Sequence, residues 1–188
     1  MTSLYRRFSP EEDIPVAGRL KKRKLLKYYS REAMAAVLTA GELLEGKELP
    51  SRLPFYYASA YVENLRFLEE VFEKLNAYPD HVFDAQRFLL ATPPPVNFKM
   101  MRNMVPCFVS IENNLTGDNN FIVDSASALL HAALTAPGEG PVLIGAGYLH
   151  ADDSVEAGFA LVNPSELAGH PLLGSDAPAI ELFRQWAQ

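Results

Sequence analysis

Cysteine is almost absent: Cys107 is the only one in 188 residues. A single thiol excludes an intrachain disulfide and any cysteine-based metal cluster, so Cys107 is expected as a small buried hydrophobe. Histidine is nearly as scarce. His81, His150 and His170 lie apart from one another without metal-ligand spacing, and are expected in exposed loops with no metal. No apolar run approaches the roughly 20 residues that span a bilayer, and Met1 to Arg7 lacks the apolar stretch of a secretory signal. A soluble, cytoplasmic protein is the expectation. Gly145 and Gly147 give Gly-x-Gly inside a strand, with no third glycine opening a helix, which excludes a dinucleotide fingerprint and leaves no cofactor expected. Close approach of another layer is their structural meaning.

What the chain does have is apolar content, at 48% hydrophobic and 11% aromatic, enough for one ordinary core. Its net charge of -6 conceals an asymmetry. Residues 1–31 hold nine of the 17 Lys and Arg but only three acids. Arg19, Lys21, Lys22, Arg23, Lys24 and Lys27 form a candidate docking surface for an acidic partner, set against the solvated helix start such a run also describes. Nucleic acid is a poor partner, because the rest of the chain is acidic and no recognition module accompanies the lysines.

Residues 1–18, with Pro10, Pro15 and Gly18 among acids, read as an irregular arm before a single domain over 19–188. Lys21 to Leu44 is helical in pattern, as two helices or one bent one, and Leu53 to Ser59 reads as a buried strand. Leu65, Leu68, Phe72 and Leu75 predict an amphipathic helix, with Glu63, Arg66, Glu70, Glu73 and Lys74 on its other face. Residues 80–106 read as irregular, with Pro93, Pro94 and Pro95 opposing a helix, and the Met100, Met101 and Met104 cluster is expected in the core. Val142 to Tyr148 predicts a central strand, Gly158 to Val162 its hairpin partner, and Ala179 to Trp186 a terminal helix. Strands alternating with helices argue for a three-layer α/β domain.

The stretch Asn114 to Leu134 reads as a tight turn, a short strand and a helix entered at a small polar residue, which is how a nucleophile is presented. It resembles the nucleophile segment of the β-ketoacyl synthases. Leu115, Thr116 and Gly117 match the turn, Val123 and Asp124 match the strand end, Ser125 takes the position of the family's threonine, and Ala126 matches. Ser127 falls where the family has its nucleophilic cysteine. The order of elements extends the likeness over residues 19 to 163: Arg19 to Leu44 resembles the basic-then-helical opening, and Ala157 to Val162 a mid-domain strand.

The resemblance implies a thiolase-like half-fold, α/β/α with a mixed central sheet, akin to stand-alone ketosynthase N-terminal domains. In that family a thiolate at the helix N-terminus takes the acyl chain, and imidazoles from the second half assist condensation. Here a serine replaces the thiol, and only His170 lies in the tail. A non-catalytic subunit is therefore expected, pairing with itself or with an active ketosynthase and binding acyl chains or an acyl carrier protein. Dimerisation through the segment around the nucleophile would put Ile122 to Ala133 at or near a partner, and a half-fold should leave one sheet face bare. The alternative is a serine-dependent acyltransferase or thioesterase, with His131 at i+4 and Asp124 at i-3 completing a Ser/His/Asp set around Ser127. No Gly-x-Ser-x-Gly elbow accompanies it, and Asp124 also fits a strand-end or helix-capping role.

Overall fold

Neither Phe55–Ser59 nor Val142–Leu149 contains a charged residue, and both become strands buried on each face. A computed structural model describes residues 1–60, 65–80, 82 and 84–187. Its sheet is built from β1 (Thr2–Phe8), β2 (Phe55–Ser59), β3 (Asn119–Val123), β4 (Val142–Leu149) and β5 (Val155–Val162). The strands run in the order β1-β5-β4-β2-β3. β2 is parallel to both β3 and β4, while β4, β5 and β1 pair antiparallel, so the sheet is mixed.

Strand side chains alternate between two cores. Phe55, Tyr57, Leu143, Ala157 and Phe159 face α1 (Arg31–Leu44) and α5 (Met104–Asn113). Tyr56, Ala58, Ile144, Ala146 and Ala160 face α6 (Ala126–Leu134) and α7 (Ala179–Trp186). This is the expected α/β/α arrangement. The bare sheet face expected of a half-fold is not found, because α7 lays Ile180, Leu182 and Phe183 beside α6. Gly158 makes that possible: a Cβ there would overlap the Phe183 side chain. Gly145 likewise leaves room for the Phe159 ring, which stacks on Tyr57 at 5.8 Å.

α1 starts at Ser30, whose side chain accepts from the Ala33 N–H, and its alanine-rich interior is buried along the sheet. A 3-10 helix over Arg23–Tyr28 precedes it, so the Lys21 to Leu44 region is two helices. α2 (Leu65–Asn76) forms as the periodicity predicts, but Val71 is buried and Phe72 is 57% exposed. Glu63 and His81 lie outside the described residues, as do the side chains of Leu65, Arg66, Leu68 and Glu70.

Five sequence expectations are corrected. Residues 2–8 of the arm expected to be irregular form β1, paired with β5 from Thr2 opposite Leu161 to Phe8 opposite Val155. β1 is an edge strand in which only Phe8 is buried, so its apolar pattern is weak. Residues 80–106 contain α3 (Ala85–Ala91) and α4 (Pro94–Met100). Pro93 is the N-cap of α4, and Pro94 and Pro95 occupy its first turn, where the N–H they lack would go unpaired in any case. Of the methionines, Met104 packs against the core but Met101 is 46% exposed. His150 and His170 are half-buried rather than exposed; His170 packs edge-on against Trp186 at 5.8 Å. Cys107 is also half-buried, with Sγ 3.4 Å from the Asn103 carbonyl.

Glu156 on β5 is fully buried and ties three elements together. Arg184 of α7 donates to it through Nε at 2.7 Å and Nη2 at 2.5 Å, Tyr5 of β1 donates its hydroxyl, and His150 Nε2 lies 2.5 Å away. Burial alone would push this carboxyl up, but the bonds from Arg184, Tyr5 and His150 outweigh it and hold it at about 2. A carboxyl lowered by folding adds stability above its unfolded value, near 4.5 here, and that stability disappears as pH falls through the folded value. Thermal unfolding should therefore shift to lower temperature between about pH 4.5 and pH 2. The Glu156→Gln variant, less stable at neutral pH, should lose part of this dependence.

Candidate functional site

The parallel strands β2, β3 and β4 end on one edge of the sheet, the edge where open α/β sheets bind ligands. The Asp124 N–H donates to the Ser59 carbonyl at 3.1 Å, which fixes the end of β3 against the end of β2. Ser125 then caps α6, its hydroxyl accepting from the Ala128 N–H at 3.1 Å. Ser127 follows as the second residue of the helix, half-buried, with Oγ accepting from the Gly174 N–H at 2.9 Å. The helix start read from the sequence is thus present, and Ser127 stands in it.

The Ser/His/Asp set does not come together. The Asp124 carboxylate accepts from the Ala179 N–H at 3.1 Å, at the start of α7. It caps a helix, though a different one from the helix that follows it in sequence. His131 is exposed one turn beyond Ser127, and among the described residues no hydrogen bond joins the two. Ser127 therefore has a backbone donor on its oxygen and, among the described residues, no hydrogen bond to a histidine or carboxylate.

A buried polar cluster that no sequence motif marks lies at the same edge. Glu32, in the first turn of α1, is 2% exposed and accepts from the Tyr57 hydroxyl at 2.9 Å. Arg102, between α4 and α5, places Nη1 3.6 Å from Glu32 Oε2, donates to Ser59 Oγ at 3.1 Å, and also donates to the Ala60 carbonyl. Burial pushes the Glu32 carboxyl up, while the Ser59 hydrogen bond, the Arg102 charge and the Tyr57 hydroxyl pull the other way. Burial raises Asp124 too, opposed by the Ala179 N–H and by Arg102. Burial and then Glu32 push the Tyr57 hydroxyl well up. Gly147 makes room for the cluster, since a Cβ there would meet the Tyr57 hydroxyl and Glu32. The available signal was Tyr57 within an apolar strand and Glu32 heading a buried alanine-rich helix.

The basic segment is separate from these groups in its bonding. Lys21, Lys22, Arg23, Lys24 and Lys27 are exposed, and the first four line an open cleft of about 540 Å³ with Leu20 and Leu25. Arg19 is the exception. It pairs with Glu45 at 3.0 Å and Glu42 at 3.8 Å, so its charge is partly neutralised. Lys27 Nζ sits 4.9 Å from the Tyr28 ring centroid. Among the described residues, no group of three or more His, Cys, Asp or Glu is placed to hold a metal ion, and no helix is long and apolar enough to cross a membrane.

No protein-family model and no curated protein matches this sequence. Among solved structures, a chain described as "The ishigamide ketosynthase/chain length factor" superposes with a TM-score of 0.51 at 17% identity. The match covers 87% of this chain and 51% of that one, so the present chain spans about half the length of its structural neighbour. The fold is ketosynthase-like, of the thiolase type.

Removing the cap with Asp124→Ala should cost about 1 kcal/mol in denaturant unfolding, and Asp124→Asn should recover most of it. Gly147→Ala should cost about 1–3 kcal/mol by overpacking the Tyr57–Glu32 contact.

Proposed function

We propose that this chain is a non-catalytic ketosynthase-like subunit that acts in polyketide or fatty acid assembly by pairing with a ketosynthase and binding an acyl carrier protein. The observation that carries the reading is Ser127, a hydroxyl at the position that resembles the family's nucleophile, whose oxygen accepts from the Gly174 N–H and, among the described residues, bonds no base. A serine hydroxyl in that setting is a poor nucleophile, whereas a thiol at a helix N-terminus is favoured as thiolate. The name of the structural neighbour, which couples a ketosynthase with a chain length factor, supports a paired role.

Pairing is further supported by β3, which lies at the open edge of the sheet with Val123 63% exposed. The carrier-protein role rests on Lys21, Lys22, Arg23, Lys24 and Lys27, whose exposed charges suit an acidic partner. The competing reading is acyl transfer or thioester hydrolysis by Ser127, aided by His131 and Asp124. Asp124 is engaged at the start of α7 instead, which favours the subunit reading.

Two experiments test the proposal. Incubation with an acyl carrier thioester should leave the wild-type chain unacylated by intact mass, while Ser127→Cys acquires the acyl group. Acylation of the wild type lost in Ser127→Ala would establish the enzyme reading instead. Charge reversal at Lys22 and Lys24 should weaken carrier-protein binding about tenfold at low salt, with the difference shrinking as ionic strength rises. Unchanged affinity would remove the docking role.

A further inference from the structure

The basic cleft stands on a buried acid that lies about 90 residues away in sequence. Glu112, on α5, is 5% exposed. Its Oε2 accepts from the Lys21 N–H at 2.6 Å and, more weakly, from the Lys22 N–H at 3.4 Å. Its Oε1 accepts from the Tyr29 hydroxyl at 3.1 Å. Burial, followed by the Glu112 charge, raises the Tyr29 hydroxyl, so this phenol stays a donor at any ordinary pH. The two ends of the segment, residues 21–22 and residue 29, are thus pinned to one carboxylate, with the 3-10 helix Arg23–Tyr28 between them.

This arrangement is unusual in what it does with charge. A buried carboxylate beneath a run of lysines would ordinarily pair with one of their side chains. Here it is occupied by backbone amides and a phenol, and no carboxylate among the described residues pairs with the side chains of Lys21, Lys22, Arg23 or Lys24. The acid fixes the backbone while leaving the cations in solvent. Four long side chains mounted on a pinned backbone lose less freedom on meeting a partner than the same side chains on a loose loop.

We infer that Glu112 is a positioning residue for an acidic-protein docking surface formed by Lys21, Lys22, Arg23 and Lys24. The inference rests on the carrier-protein reading above and adds the residue that shapes the surface. It acts by holding the Lys21 and Lys22 amides, so an uncharged acceptor of similar shape can substitute for it. Loss of the Tyr29 branch alone leaves the cleft formed.

The test measures the affinity of purified holo acyl carrier protein for four variants by calorimetry. Glu112→Ala should bind about fivefold more weakly than wild type, whereas Glu112→Gln and Tyr29→Phe should stay within about twofold. The Lys22→Glu/Lys24→Glu double variant reports whether the surface is used at all. If that double variant weakens binding and a folded Glu112→Ala does not, the positioning role is overturned while carrier docking stands. If wild type shows no binding, the carrier reading fails and this inference fails with it. Amide exchange on the wild type supplies a readout independent of mutant folding. Lys21 should exchange about tenfold more slowly than Arg23 or Lys24, and equal rates would overturn the clamp.

Discussion

The sheet and helices of this chain can approach as they do only because three strand positions carry no side chain. Gly145 admits the Phe159 ring, Gly147 admits the Tyr57 hydroxyl with Glu32, and Gly158 admits Phe183. Each contact joins a different pair of elements: the first packs the sheet's own aromatic layer, the second seats the start of α1 over the end of β2, and the third brings α7 down onto β5. Interiors packed at crystal-like density do not absorb an extra methyl at such points without movement. At the sheet edge where β2 ends and Ser59 lies opposite Gly147, that glycine sets how closely Glu32 and the Tyr57 hydroxyl approach.

Around that edge, charges are used to hold elements in place. Glu32 and Asp124 each sit at a helix start, and Arg102 stands near both. Helix starts favour negative charge, and the guanidinium adds to that preference without being displaced into solvent. Glu156 does the same for α7 and β1 from the other part of the sheet. Glu32 and Glu156 are each satisfied by groups from several segments, so these polar clusters specify how those segments meet. Ser127 belongs to the same economy, as its oxygen is spent on the Gly174 backbone.

The central strands, α1, α6 and α7 were legible because their patterns are set by burial, which periodicity reports directly. Ser127 at a helix start was legible for the same reason, as turn, strand and helix follow each other without a gap. What could not be read depends on contacts distant in sequence. β1 draws its stability from pairing with β5, about 150 residues away, and Tyr5 gives no local sign of its bond to Glu156. The rule for helix interiors opposes a helix at the proline run, but Pro93, Pro94 and Pro95 sit at a helix entrance, where the rule reverses. Asp124 directly follows the last residue of β3, yet the helix it caps begins 55 residues later. Glu112 was invisible for the same reason, since its role is defined by amides at Lys21 and Lys22.

Asn119–Val123 contains neither a charge nor a proline, the two devices that most often blunt the outer strand of a sheet. Its outward row of backbone donors and acceptors is therefore a template for any extended chain that meets it. Copies of this chain accumulating with that row uncovered would be exposed to templated aggregation.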